Sequence, residues 1–157
     1  MAVCWLAHLA SPPSPSPARD TGRAMSQENV ELVREQFEAF NRGDLDAASE
    51  IADPDIVLRP PETWRTVEGG VAYGFDAVYR FFATYRDAFG PHVEIEEQLD
   101  AGDRVVTRYR SHVRGDYSGV EGDLRFTMIH TFREGLVVMI EVFTDHADAL
   151  RAAGLRE

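Results

Sequence analysis

From Val93 to Phe143 the chain alternates apolar and polar residues at period two, whereas residues 26–89 repeat apolar residues at helical spacing. One periodicity belongs to half-buried strands and the other to amphipathic helices. Val93, Ile95 and Leu99 suggest one strand, closed by a turn at Ala101-Gly102-Asp103. Val105, Thr107, Tyr109, Ser111 and Val113 share one face of the next, with Arg108, Arg110, His112 and Arg114 on the other. Leu124, Phe126, Met128, His130 and Phe132 line a long third strand. Arg133-Glu134-Gly135 is a hairpin signal, and Leu136, Val138, Ile140 and Val142 share a face of the last strand. Such neighbours pair antiparallel through short connections.

Ahead of the strands, Val30, Val33, Phe37 and Phe40 form a helical stripe that Asn41-Arg42-Gly43 ends, with Gly43 as the left-handed cap. Ser26 reads as the N-cap of this helix. Asp44 caps a second helix through about Ala52, with Leu45, Ala48 and Ile51 inward and Pro54 as the stop. Ile56-Val57-Leu58 reads as a short strand. A Pro/Gly-rich loop over residues 60–74 follows, with a brief strand around Thr66–Glu68. Phe75, Val78, Phe82, Tyr85 and Phe89 mark a third helix, ended by Gly90-Pro91, and residues His146–Ala153 a short terminal one. The expected fold is α+β: a cone-shaped barrel with three N-terminal helices packed on a strongly curved, mainly antiparallel sheet, and a short C-terminal helix. A cone with a mouth implies a cavity that side chains need not fill.

Residues 1–24 differ in kind. Pro12, Pro13, Pro15 and Pro17 alternate with serines, which argues against regular structure. Ala2–Ala10 is apolar but lacks a preceding positive segment, so a secretory leader is poorly matched. We expect residues 1–24 to be a disordered Pro/Ser-rich extension or a misassigned start, and residues 25–157 to form the domain.

The formal net charge is -11 and every basic side chain other than histidine is arginine. This balance argues against nucleic acid and anionic membrane surfaces as partners. No apolar run reaches the ~20 residues of a membrane-spanning helix. The single cysteine, Cys4, excludes an internal disulfide and cysteine metal clusters. A cytoplasmic location, no metal and no cofactor are the expectations.

The segments "FEAFNRGDLDA", "DPDI", "AYGFDAVYRFF", "DAGDRVV" and "FREGLVVMIEVF" resemble the SnoaL-like group of the nuclear transport factor 2-like superfamily, from about Met25 to Glu157. That resemblance implies the cone fold, a small-molecule pocket and a homodimer formed through the sheet. Its activities include isomerases, cyclases, epoxide hydrolases and dehydratases, besides proteins without known catalysis. A ketosteroid-isomerase-like site would need a tyrosine on the first helix, a carboxylate ending the first strand and an aspartate on the penultimate strand. Gln36 and Phe37, Arg59-Pro60-Pro61 and Met128 stand there instead, so that mechanism is not expected. A SnoaL-like cyclase site resembles a histidine working with an aspartate on the last strands, for which His130 and Asp145 are the local pair.

The expected catalytic residues are therefore His130 as a proton shuttle, Tyr109 as a donor to a carbonyl, and Asp145. Phe37, Trp64, Tyr73, Phe82, Ser111, Met128 and Val142 are the expected pocket lining. For each the blander reading stands beside it: a core histidine, a core tyrosine, a tryptophan that only anchors its loop. Asp53 and Asp55 flank Pro54 as turn residues more readily than as a metal pair. The basic stripe on Arg108, Arg110, His112 and Arg114 is accounted for by pairing with Glu94, Glu96 or Glu141. The functional expectation is a cofactor-free enzyme acting on a small apolar carbonyl compound by cyclase, isomerase or hydratase chemistry. A non-catalytic binder of a hydrophobic metabolite and a dimeric interaction module are the alternatives.

Overall fold

A computed structural model describes residues 17–64, 70–89, 92–114 and 121–155. Helix α1 spans Pro17–Asn41 and α2 spans Leu45–Ala48; β1 is Ala52–Arg59, β2 Ala72–Tyr73 and α3 Phe75–Phe89. Strands β3 Val93–Ala101, β4 Arg104–Arg114, β5 Glu121–Arg133 and β6 Leu136–Phe143 follow, and α4 His146–Ala152 closes the described chain. The six strands form one sheet in the order β2-β1-β6-β5-β4-β3. All pairs are antiparallel except β1 with β6. This is the expected α+β cone.

The turn chemistry follows the sequence closely. Gly43 (φ +84°) ends α1 in a double-bonded cap: Gly43 N donates to the Phe40 carbonyl and Asp44 N to that of Ala39. Asp44 then accepts from Ala47 N as the cap of α2. A Cβ at Gly43 would also come within 2.9 Å of an Arg86 guanidinium nitrogen. We therefore expect Gly43→Ala to lose about 1–2 kcal/mol in urea denaturation and Gly43→Asn to lose less, because asparagine tolerates the left-handed region. Glu134 (φ 55°) and Gly135 (φ 80°) form the β5–β6 hairpin turn, whose two positive φ angles match the strand twist.

Several boundaries differ from expectation. Helix α1 starts at Pro17, so Ser26 lies inside it and is not its cap. Proline is compatible with a first helical turn, and Ala18, Arg19, Arg23 and Ala24 are good helix formers. Helix α2 ends at Ala48, and Pro54 sits within β1 instead of stopping a helix. It does so where the β1–β6 register shifts, between Ala52 and Val57, and a proline lacking N–H fits such an irregularity. Asp53 accepts from Asp55 N, a local turn and not a metal pair. On β6 a register shift lies opposite Thr131 and Phe132. It places Val137, not Val138, in the core. The strand expected around Thr66–Glu68 lies outside the described residues.

The concave face holds the main core. Val33, Phe37 and Phe40 of α1 and Val78, Phe81 and Tyr85 of α3 meet Val105, Tyr109, Phe126, Met128, Ile140 and Val142 of the sheet. A second, smaller core lies on the convex face, where Ala149, Leu150 and Ala153 cover Val106 and Ile129. Asn41 ties α1 to the edge strand: its side chain donates to the Val93 carbonyl (2.8 Å) and accepts from Val93 N (3.0 Å). Of the outer basic stripe, Arg110 pairs with Glu94 as expected, while His112 pairs with Asp123 and Glu96 takes Arg125 of β5 as its partner.

Candidate functional site

The interior of the cone is filled by rings. Phe126 lies against Tyr109 (centroids 5.3 Å), Trp64 (5.4 Å) and Tyr85 (6.0 Å), and Phe37 lies 4.1 Å from Tyr109. The expected open cavity is thus largely occupied by aromatic side chains. Among the described residues, a crevice of about 40 Å³ lies between the helices and the β1–β6 pair. That space admits water but not an organic molecule without side-chain movement, since ordinary ligand sites run to ~300–1,000 Å³.

The crevice is built from five elements. Helix α1 contributes Gln36, Phe37 and Phe40; α2 and its end contribute Leu45, Ala48 and Ser49. Ala52 and Ile56 of β1, Ile140 of β6, and Phe75, Val78, Tyr79 and Phe82 of α3 complete it. Tyr79 closes the mouth by donating to Asp46 Oδ1 of α2 (3.1 Å) and stacks with Phe75. Loss of hydration, then the Asp46 carboxylate, holds the Tyr79 phenol above its ordinary value.

Gln36 is a polar group of this wall held at both ends of its amide. Its amide nitrogen donates to the Ala48 carbonyl (3.1 Å), which turns its oxygen toward His130. His130 Nε2 lies 3.0 Å from that oxygen and must be the donor, because the amide oxygen can only accept. Nδ1 is then an unprotonated acceptor, buried and without a hydrogen-bond partner. Burial lowers the His130 pKa from 6.5 to about 3. Burial thus keeps the imidazole neutral near pH 7. Val105 and Ile140, its neighbours across the sheet, carry no charge to stabilise an imidazolium.

The remaining candidates divide cleanly. Phe37 and Phe82 line the crevice. Tyr109 points inward and is fully buried, but lies behind Phe37 instead of in the crevice wall. Desolvation pushes its phenol well above the ordinary value, partly offset by the Thr107 hydroxyl. Met128 and Val142 are core residues, and Ser111 is buried deeper along β4 near Tyr85. Trp64 packs on Phe81 and Tyr85 as an anchor of its loop. Tyr73 is 73% exposed on the short edge strand. Asp145 does not join His130: it is the N-cap of α4, accepting from Asp148 N at the end of β6. Gln36 and Tyr79 were missed; the signal for Gln36 was a polar residue at i+3 from Val33 on the inward stripe of α1.

Among the described residues no group of histidine, cysteine and carboxylate side chains is placed to hold a metal ion. None of the described helices is long and apolar enough to cross a membrane.

The sequence profile of the SnoaL-like domain matches residues 33–140. No curated protein matches significantly. Among solved structures, the chain is 27% identical to a Burkholderia pseudomallei NTF2-like protein of unknown function, with 78% of this chain and 95% of that one covered and a TM-score of 0.64. A putative SnoaL-like polyketide cyclase from a Jannaschia species is 21% identical, covering 93% and 100%, with a TM-score of 0.66. TerC, co-crystallised with polyporic acid, is 23% identical, covering 80% and 98%, with a TM-score of 0.65. The latter two show the fold alone.

Proposed function

The chain belongs to the SnoaL-like domain family, and from that premise we propose that it binds a compact, mostly apolar organic molecule between α1, α2, α3 and the β1–β6 pair. The observation that carries this reading is the Gln36 amide, pinned by Ala48 and His130 at the wall of an otherwise largely apolar crevice. Apolar walls supply the driving force and a fixed polar group supplies orientation. Because the resting space is small, binding includes displacement of wall side chains, with Phe82 and the Tyr79–Asp46 clasp at the mouth.

A thermal-shift series tests it. Small aryl ketones and the matching hydrocarbons should both raise Tm. A ligand at a hundred times its Kd adds about 2.7 kcal/mol of stability, which is several degrees for a domain of this size. Gln36→Leu should keep the hydrocarbon shift and lose the extra shift given by the ketone. No shift with any compound would overturn the reading.

A second reading, cofactor-free cyclisation, isomerisation or hydration, draws on the unpaired Nδ1 of His130, a base held in a dry interior. Turnover of a carbonyl substrate that is unchanged in His130→Gln would remove it. TerC's ligand lends the family a small-molecule precedent but no substrate for this chain. A homodimer through the sheet belongs to the same proposal, and sedimentation at micromolar protein tests it: a monomer would count against it.

A further inference from the structure

Among the described residues, and besides Ser111 Oγ, two fully buried polar atoms in the cone lack hydrogen-bond partners of good geometry: the Tyr109 hydroxyl and His130 Nδ1. They are chemically complementary to a ligand, since one is a phenol donor and the other an imine-type acceptor. Leaving such groups unpaired in a dry interior is destabilising. One ring packs beside both side chains. The Phe37 ring lies 4.1 Å from the Tyr109 ring and meets His130 edge-on at 6.3 Å, while its other side forms part of the crevice wall.

We infer that Phe37 is a gate: when its ring swings aside, the crevice extends to a polar wall made of the Tyr109 hydroxyl and His130 Nδ1. The inference rests on the pocket reading above and deepens it by naming the ligand class. A carbonyl oxygen accepts from Tyr109, and a hydroxyl on the adjacent carbon donates to Nδ1. The favoured ligand is therefore a compact aromatic or alicyclic α-hydroxyketone. The Nε2–H bond to Gln36 holds the imidazole in the tautomer that leaves Nδ1 as acceptor. Tyr109 and His130 sit on adjacent paired strands, flanking the Thr107–Met128 pair from opposite sides along the inner face, so the rigid sheet fixes their spacing while α1 carries the moving ring.

The test uses the full chain with nitrogen-labelled histidine, titrated with phenacyl alcohol, acetophenone and ethylbenzene. Phenacyl alcohol should move the His130 Nδ1 resonance away from the free-imine position, whereas ethylbenzene should bind and leave it in place. Phe37→Leu should tighten phenacyl alcohol several-fold relative to ethylbenzene. Tyr109→Phe, which preserves the ring, should weaken the two ketones by roughly tenfold and leave ethylbenzene unaffected. Binding of all three probes with an unmoved Nδ1 resonance and no effect of Tyr109→Phe would overturn the gate while sparing the pocket. Failure of all three to bind would overturn both.

Discussion

On acidification the fold should begin to lose stability near pH 6.5, well before its carboxylates titrate, because His130 is neutral when folded and free to ionise when unfolded. Its folded pKa is lowered to about 3 from 6.5 by burial. Between those values the unfolded chain binds the extra proton, so stability falls as pH falls. The penalty is absent above the unfolded pKa, grows by about 1.4 kcal/mol per pH unit below it, and levels off below the folded one. Its full extent, on the order of 4–5 kcal/mol, is a large part of the 5–15 kcal/mol that stabilises an ordinary domain. Asp123 acts in a lower window. Its carboxyl is held below 3.8, chiefly by the hydrogen bond from His112, so its contribution is lost only as pH falls through the folded value. Urea denaturation at stepped pH should therefore show a proton-linked decline starting above the carboxylate range. His130→Gln keeps an amide donor for Gln36 and should flatten that upper decline, although the variant starts from a lower stability. An unchanged slope in the variant would mean that the imidazole is solvated or paired in the folded chain.

That prediction also shows where sequence reading stops. Period-two alternation placed Thr107, Tyr109 and Ser111 on the inner face of β4, and Phe126, Met128 and His130 on that of β5, because a flat register carries the pattern without ambiguity. It failed on β6, where the register shift advances the core position from Val138 to Val137, a change that no single-strand pattern encodes. Turn chemistry was equally local: Gly43, Asp44 and Gly135 each declare a backbone state that their own side chains require. The site was less legible because its parts are defined by distance in three dimensions. Gln36 matters only because Ala48 and His130 converge on it from positions 12 and 94 residues away. Asp145 is paired with His130 by the family resemblance, yet the end of β6 turns it into a helix cap. The hollow of the cone was inferred from its outline, and outline says nothing of how far Phe37, Trp64, Tyr85 and Phe126 reach into it.

Those rings set the largest single-residue effect. Phe126→Ala should destabilise the domain by about 3–5 kcal/mol, the range for removing a large buried aromatic. Phe126 is 2% exposed and contacts the rings of Trp64, Tyr85 and Tyr109 at 5.3–6.0 Å. Truncation removes the transfer free energy of the ring and about 0.5–1.5 kcal/mol for each well-oriented ring pair. The sheet limits relaxation, since Phe126 is paired in register with Tyr109 on β4 and its strand is paired on both sides. The vacated volume should therefore persist. Phe126→Leu, which retains most of the apolar volume, should lose about half as much or less. Chemical denaturation of the two variants measures both values. The void left by Phe126→Ala should also bind small aromatic hydrocarbons, recovering part of the lost stability in a concentration-dependent way. A loss below about 1 kcal/mol would mean that the rings pack loosely around an open interior. The cone would then be hollow after all, and the crevice beside Gln36 only its mouth.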